Sequence, residues 1–451
     1  MDIQDKKILI YGAGISGVAA ANLLAKSTAK VAIYDGNPNL NVEELKKKLV
    51  GNEVNIIVGV IPENIRKTID MVVVSPGVPT DLPDLIKFAD DGVSIIGEIE
   101  LAYMFSKGKI IGVTGTNGKT TTTSLIGQIL RAHYESSFVV GNIGIPYTQM
   151  VTSTKASSVT VAEISSFQLE TIRTFEPDVS LILNITPDHL DRHHTMENYI
   201  DAKINITKNQ LDDKVCILNY EDEELRKREK DIHAKIIYFS SEQRLRGGIF
   251  LENDTIIYNN GVEDIVICNI NELKLLGKHN YENVMAAVMA TISIGVPLEI
   301  IIDEIKKFVS VEHRIEYVKE VHGVKYYNDS KGTNPDAAIK AVEAMVSPTL
   351  LIAGGYDKDS SYDEWIESFN GKIKKLVLIG QTREKIANTA REKGFEDIVM
   401  ADSLEEAVKI CRENASKGDS VLLSPACASW GMFKNYEERG NEFKRLVNEI
   451  K

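Results

Sequence analysis

Short β-rich apolar runs alternate with stretches of helical periodicity along most of the 451 residues, the pattern of parallel sheets joined by crossover helices. At roughly 150 residues per domain the length allows about three such units. Hydrophobic residues at 43% and charged residues at 26% exclude a disordered, collagen-like or coiled-coil chain. Buried strands are expected over residues 8–11, 31–35, 54–58 and 71–74, then 110–114, 159–162 and 179–183. A hairpin over 250–258 should turn on Asn253-Asp254, and a helix should cover about 280–293 before Gly295-Val296-Pro297 breaks it. Strands over 350–353, 376–379 and 421–423 complete a last doubly wound sheet, with 310–314 read as the link into it.

Two of the strand-to-helix junctions are glycine turns, which implies two phosphate sites. The first is Gly12-Ala13-Gly14-Ile15-Ser16-Gly17, followed by Asp35 at the end of the next strand. That spacing matches the dinucleotide fingerprint, in which the acidic residue takes a ribose. The second is the run from Gly112 through Gly115, Thr116, Asn117, Gly118, Lys119, Thr120 and Thr121. It departs from the strict P-loop pattern by one place, since the glycine expected at 113 stands at 112. Its backbone N–H groups and helix N-terminus suit phosphate oxygens, Lys119 suits the terminal phosphates, and the Thr120 hydroxyl suits Mg²⁺. Glu163 and His189 each follow an expected strand, at the carboxyl end where open α/β sheets place their crevice. The fold class is therefore α/β with three domains: a Rossmann-like N-terminal domain over 1–97, a central P-loop ATPase-type sheet over 98–310, and a Rossmann-like doubly wound domain over 311–451.

The net charge of −13 repels polyanions, and with no extended basic stripe this argues against nucleic acid as a partner. No signal-peptide core precedes the first strand, and nothing approaches the ~18 apolar residues of a spanning helix. The cysteines at 216, 268, 411 and 427 form no C-x-x-C pair, as in a reducing compartment. A cytoplasmic protein without membrane insertion is expected.

Eight motifs then occur in one order: Gly-Thr-Asn-Gly-Lys-Thr at 115–120, Gly-Asn-Ile-Gly at 141–144, Glu-Ile-Ser-Ser-Phe-Gln from Glu163, Asn-Ile-Thr-Pro-Asp-His-Leu-Asp at 184–191, His279-Asn280 with Asn283, His313-Arg314, Asn-Asp-Ser-Lys-Gly-Thr-Asn-Pro at 328–335, and Ser-Pro-Ala-Cys-Ala-Ser at 424–429. In this the chain resembles the Mur ligases, the ATP-dependent amide ligases of peptidoglycan precursor synthesis. The last two motifs resemble the branch that adds D-glutamate to UDP-N-acetylmuramoyl-L-alanine. The resemblance implies that Gly115 to Thr121, Asn283, Arg314 and Asp329 hold ATP. It implies two Mg²⁺ sites, one at Thr120 and Glu163 and one at His189 and Lys203, with Lys203 carbamylated. CO₂ would turn that cation into an anionic oxygen donor suited to a hard metal. Ile15, Ser16, Asp35, Ser75 and Gly77 of the first domain, with Asn142, would bind the UDP-linked substrate. Lys331, Thr333, Lys358, Ser429 and Tyr436 would bind D-glutamate, Lys331 also acting in catalysis, and the enzyme would be a monomer. The chain departs from the family at Gly431, where Asp is frequent, and at Tyr436, commonly Phe.

The residues by themselves leave two other classes open, a nicotinamide-dependent oxidoreductase built on Gly12 to Gly17 and a nucleotide-switched interaction protein built on the second glycine turn. Within the resemblance, a folylpolyglutamate-type ligase or one adding another amino acid is the alternative. Asp35 separates the ligase from the oxidoreductase. Loss of one charged hydrogen-bond partner costs about 1.5–3 kcal/mol, so Asp35→Asn should weaken UDP-substrate binding roughly 10- to 150-fold and leave ATP binding intact. Calorimetric titration with UDP, NAD and ATP checks this, and tight NAD binding without UDP binding would contradict the ligase.

Overall fold

The computed structural model of the chain describes residues 3–50, 54–142, 144–309, 312–357 and 360–451, with the side chain of residue 191 left aside. The boundary expected at 310 and 311 lies outside them. Two compact units emerge, one of residues 1–268 with 282–304 and one of residues 269–281 with 305–451.

The first unit carries two sheets. Strands β1 (Lys7–Tyr11), β2 (Lys30–Asp35), β3 (Asn55–Val58), β4 (Met71–Val74) and β5 (Ser94–Gly97) pair in parallel in the order β3-β2-β1-β4-β5. The order reverses between β1 and β4, so a crevice opens there at the strands' carboxyl ends, where the Gly12 turn lies. Ile8, Leu9 and Ile10 of β1 and Met71 and Val72 of β4 are wholly buried, because helices cover both faces and leave no solvated side to select polar residues.

The second sheet has nine strands: β6 (Lys109–Thr114), β7 (Ser137–Gly141), β8 (Val159–Glu163), β9 (Val179–Ile182), β10 (Val215–Asn219), β11 (Lys235–Ser240), β12 (Ile249–Glu252), β13 (Thr255–Asn259) and β14 (Asp264–Asn269). Their order is β14-β13-β12-β11-β10-β9-β6-β8-β7. The hairpin expected from Asn253-Asp254 is β12 with β13, and both turn residues have positive φ, 47° and 59°, as a two-residue loop matched to strand twist requires.

The second unit holds β15 (Glu316–Val321), β16 (Val324–Asn328), β17 (Thr349–Ala353), β18 (Ile373–Leu378), β19 (Ile398–Met400) and β20 (Ser420–Leu423), in the order β15-β16-β20-β17-β18-β19. All pairs are parallel except β15 with β16. Strands β5, β7, β10, β11, β14, β15, β16 and β19 add to those expected from sequence. Half-buried and charged positions interrupt the apolar run in most of them, as in Glu-Tyr-Val-Lys-Glu-Val of β15. Among the described residues no helix is long and apolar enough to cross a membrane.

The two sheets of the first unit are joined by the helix Glu98–Phe105, which has two buried carboxylates in its first turn. Glu100 is fully buried and accepts from the backbone amides of Arg173, Thr174 and Phe175 at 2.8 to 3.0 Å and from the Thr174 hydroxyl at 2.5 Å. One side chain thus satisfies the otherwise unpaired backbone donors of the 173–175 loop, a substitute for a backbone ladder. Each orphaned buried donor costs about 1–3 kcal/mol, so Glu100→Ala should destabilise the protein by at least about 3 kcal/mol, measured as a lowered denaturation midpoint.

Candidate active site

The Gly12 turn is held by residues at the ends of β2 and β4. Gly12 N–H donates to Tyr34 O at 2.8 Å, and the Ser75 hydroxyl donates to Gly12 O at 3.1 Å, which joins the turn to the end of β4. Asp35 is engaged on both oxygens, accepting from Ala13 N–H at 3.0 Å and Asn37 N–H at 2.9 Å. Its first structural task is therefore to shape the glycine turn. The helix Ile15–Leu24 begins at Gly14 with no side-chain cap. Ile15 at its start is exposed and Ser16 half-buried, while Gly77, after β4, is exposed; an uncapped helix start suits an anionic group.

The second glycine turn joins β6 to the helix Lys119–His133, whose cap residue Gly118 has φ +84° and no capping side chain. A Cβ on Gly118 would come within 2.2 Å of Asn283 Oδ1, so backbone conformation and packing both demand glycine here. Asn283, buried, also accepts from the Thr122 hydroxyl at 3.3 Å. The loop is braced from the β9 side, where Asn184 Oδ1 accepts from Asn117 N–H and Asn184 O from Thr116 N–H. Thr116 Oγ1 lies 3.0 Å from Tyr199 Oη and donates to Thr186 O at 3.1 Å. Thr120 is half-buried and Thr121 buried.

Two lysines meet at one carbonyl. Lys119 Nζ donates to Gly115 O and Thr116 O, both at 2.9 Å, and Lys203 Nζ donates to the same Gly115 O at 2.7 Å. Lys203 lies deep on the helix Met196–Ile204, 4.6 Å from the Tyr199 ring centre. Burial first, and the Lys119 charge second, lower its pKa to about 7, since an ammonium stripped of water beside another cation is disfavoured.

Glu163 ends β8 in register with Val113 of β6. It is 2% exposed. Its Oε1 accepts from Asn142 Nδ2 at 2.9 Å, while buried Oε2 has no hydrogen-bond partner. An open carboxylate oxygen beside a phosphate loop suits Mg²⁺, which takes one or two carboxylates and completes its shell with phosphates and water. Among the described residues no three His, Cys, Asp or Glu groups form a metal cage by themselves. His189 is exposed in the left-handed region, φ 52°, 4.9 Å from the Phe167 ring. Sequence reasoning passed over His193, which is buried, with Nε2 2.9 Å from Ser166 Oγ and a pKa lowered mainly by burial.

The second unit assembles another cluster. Asp329 Oδ2 accepts from the Ser424 hydroxyl at 2.7 Å and Oδ1 from Ile315 N–H at 3.2 Å, and burial lifts its pKa to about 7. Lys331 Nζ lies 5.5 Å from the Tyr436 ring centre, Thr333 N–H donates to Lys331 O, and Ser429 is buried. Arg314 is exposed. Lys358 lies outside the described residues. Arg439, also passed over, is 1% exposed and bonds Ser330 O at 2.8 Å, Ser330 Oγ at 3.0 Å and Cys427 O at 3.2 Å. It clamps the 328–333 and 424–429 loops together. Its pKa falls to about 10 because burial opposes the charge. One arginine on an amphipathic helix carries no sequence signal of such a task.

Three mostly parallel sheets, with a phosphate loop and an open carboxylate at the mouth of the middle one, define a nucleotide-phosphate-binding α/β protein. The chain belongs to the Mur ligase family: residues 6–97 match the Mur ligase MurD-like N-terminal domain, 113–291 the Mur ligase middle domain, and 313–427 the Mur ligase glutamate ligase domain. It is 58% identical to the UDP-N-acetylmuramoylalanine–D-glutamate ligase of Lachnoclostridium phytofermentans and 46% identical to that of Clostridioides difficile, each alignment covering 100% of both chains. Among solved structures it is similar to the UDP-N-acetylmuramate-alanine ligase MurC of Thermotoga maritima, with a TM-score of 0.57 at 19% identity, covering 99% of this chain and 100% of that one.

Proposed function

We propose that the chain is an ATP-dependent ligase that joins D-glutamate to UDP-N-acetylmuramoyl-L-alanine in peptidoglycan precursor synthesis. The observation that carries this reading is the unpartnered Glu163 oxygen beside a phosphate loop on which Lys119 and Lys203 converge. The relatives named above, at 58% and 46% identity over full length, carry the choice of substrates.

In this reading the domains are 1–97 for the UDP-linked substrate, 98–310 for ATP and 311–451 for the amino acid. Ile15, Ser16, Asp35, Ser75 and Gly77 hold the UDP portion, with Asn142 farther along the substrate. Gly115 to Thr121, Asn283, Arg314 and Asp329 hold ATP. The substrate's L-alanine carboxylate attacks the γ-phosphorus, the bond to ADP breaks, and an acyl phosphate forms. The neutral amine of D-glutamate, held by Lys331, Thr333, Lys358, Ser429 and Tyr436, then attacks the acyl carbon, phosphate leaves, and the nitrogen gives up one proton to solvent as the amide forms. Lys119 uncurls from Gly115 O toward the charge that develops on the phosphoryl oxygens. Mg²⁺, when bound at Thr120 and Glu163 and at His189 and Lys203, offsets phosphate charge.

Lys203 would serve as a carbamate, its neutral amine adding to CO₂ with loss of one proton. Burial and the depressed pKa support this, because only the unprotonated amine is a nucleophile. A cytoplasmic monomer fits a reaction on ATP and a nucleotide-linked substrate, and the four cysteines, all buried, fit a reducing compartment.

The test is ATP-dependent phosphate release with UDP-N-acetylmuramoyl-L-alanine and, in turn, D-glutamate, L-glutamate, L-lysine and D-alanine. D-glutamate alone should support turnover, and preference for another acceptor would contradict the assignment.

Lys203→Ala should be inactive and partly restored by short-chain carboxylates. For the CO₂-depleted wild type at fixed dissolved CO₂, reactivation should run roughly 10-fold slower at pH 6 than at pH 8, because the amine is protonated below about 7. Equal rates at the two pH values would rule out Lys203 as the reacting amine.

A further inference from the structure

Glu98 is the first residue of the helix that follows β5, and it is 2% exposed. Its Oε1 accepts from Thr148 N–H and from the Thr148 hydroxyl, both at 2.7 Å. Oε2 is buried without a hydrogen-bond partner. Thr148 belongs to the first turn of the short helix Tyr147–Met150, whose cap position is Pro146. Proline has no side-chain acceptor for the orphan N–H groups of a helix start. Glu98 therefore supplies, from 50 residues away in sequence, the cap that the local sequence lacks.

The segment between β7 and that helix reaches the metal-site carboxylate. Gly141 has φ +106°, and a Cβ on it would meet Glu163 O at 2.1 Å, so the chain leaves β7 pressed against the end of β8. Gly141 N–H donates to Ile145 O at 3.0 Å, and Asn142 N–H donates to Glu163 O at 2.8 Å. Asn142 Nδ2 then holds Glu163 Oε1 and leaves Oε2 open. One end of the loop is pinned by β8, and the other is pinned by the Glu98 cap at Thr148.

We infer that Glu98 is a positioning residue for the metal site: by capping the helix at Thr148 it fixes the loop through which Asn142 sets the orientation of Glu163. The inference rests on the reading of Glu163 as a Mg²⁺ ligand and extends it to a residue in the joint between the first two domains. The carboxylate acts through Thr148 and makes no hydrogen bond to Glu163 or Asn142. Its effect is transmitted through backbone already closed into a turn.

The experiment titrates Mn²⁺ into the full-length protein with ADP present, reading bound metal by electron paramagnetic resonance, with melting temperature recorded alongside. Glu98→Ala should weaken Mn²⁺ roughly 5- to 20-fold. Glu98→Gln, which keeps an acceptor oxygen for Thr148, should stay within about twofold of wild type. The double variant Glu98→Ala with Asn142→Ala should bind Mn²⁺ no more weakly than Asn142→Ala alone, since residues acting through one path do not add. A purely structural role would lower the melting temperature and leave Mn²⁺ affinity unmoved, which would overturn the inference, as would additive losses in the double variant. If Glu98→Ala does not fold, Glu98→Asp, one methylene short of Thr148, replaces it with the same expectation. Glu163→Gln is the control: unchanged Mn²⁺ affinity there would overturn the metal-site reading itself, and the inference with it.

Discussion

The Gly115 carbonyl is the point on which the central site turns. One oxygen receives Lys119 from the helix it precedes and Lys203 from a helix 88 residues away. Two ammonium groups at one acceptor repel, and the buried one yields first because it has lost its water. The result is a half-buried cation held on the loop carbonyls and a buried amine whose pKa falls to about 7. Neither property belongs to a lysine on its own. Both follow from a glycine loop that turns the Gly115 carbonyl inward, while Asn184 holds the Thr116 and Asn117 N–H groups.

The same economy governs the buried acids. Glu100 is consumed by three backbone amides and a hydroxyl, and Asp329 by a hydroxyl and an amide. Glu163 differs, since one oxygen is held and the other left open. A buried carboxylate oxygen without a donor is unfavourable unless something outside the fold completes it. Glu98 shares that pattern at the start of its helix, and what sets Glu163 apart is its place at the end of β8, in register with the strand that leads into the phosphate loop. In the second unit Arg439 works in the opposite sense, as a buried cation satisfied by neutral oxygens of two loops, so the loops rather than a counter-ion determine where it sits.

Legibility in the sequence followed burial and turn chemistry. The apolar runs within β1, β4 and β17 and the Asn253-Asp254 hairpin stood out because their residues are decided by their own neighbours in the chain. Strands β14 and β15, half-buried and bounded by acidic residues, take their pairing from the strand beside them, which no local pattern records. The phosphate loop was readable despite its displaced glycine, because strand, turn and helix follow one another without interruption. Lys203 was visible only through the family resemblance. Arg439 and Glu98 were not visible at all, since each acts on backbone tens of residues away.

The chain's own order of residues determined the α/β class, the two glycine turns, the acids at strand ends and the run of motifs from 115 to 429. These depend on spacing and backbone preference, which are local quantities. Tertiary structure alone decided that Lys203 is buried against Gly115, that Asp35 spends both oxygens on its own turn, and that Asn142 takes only one oxygen of Glu163. Each of these is a matter of desolvation and of which partner arrives first. Both are set by packing between segments far apart in the chain, where sequence distance carries no information about physical distance.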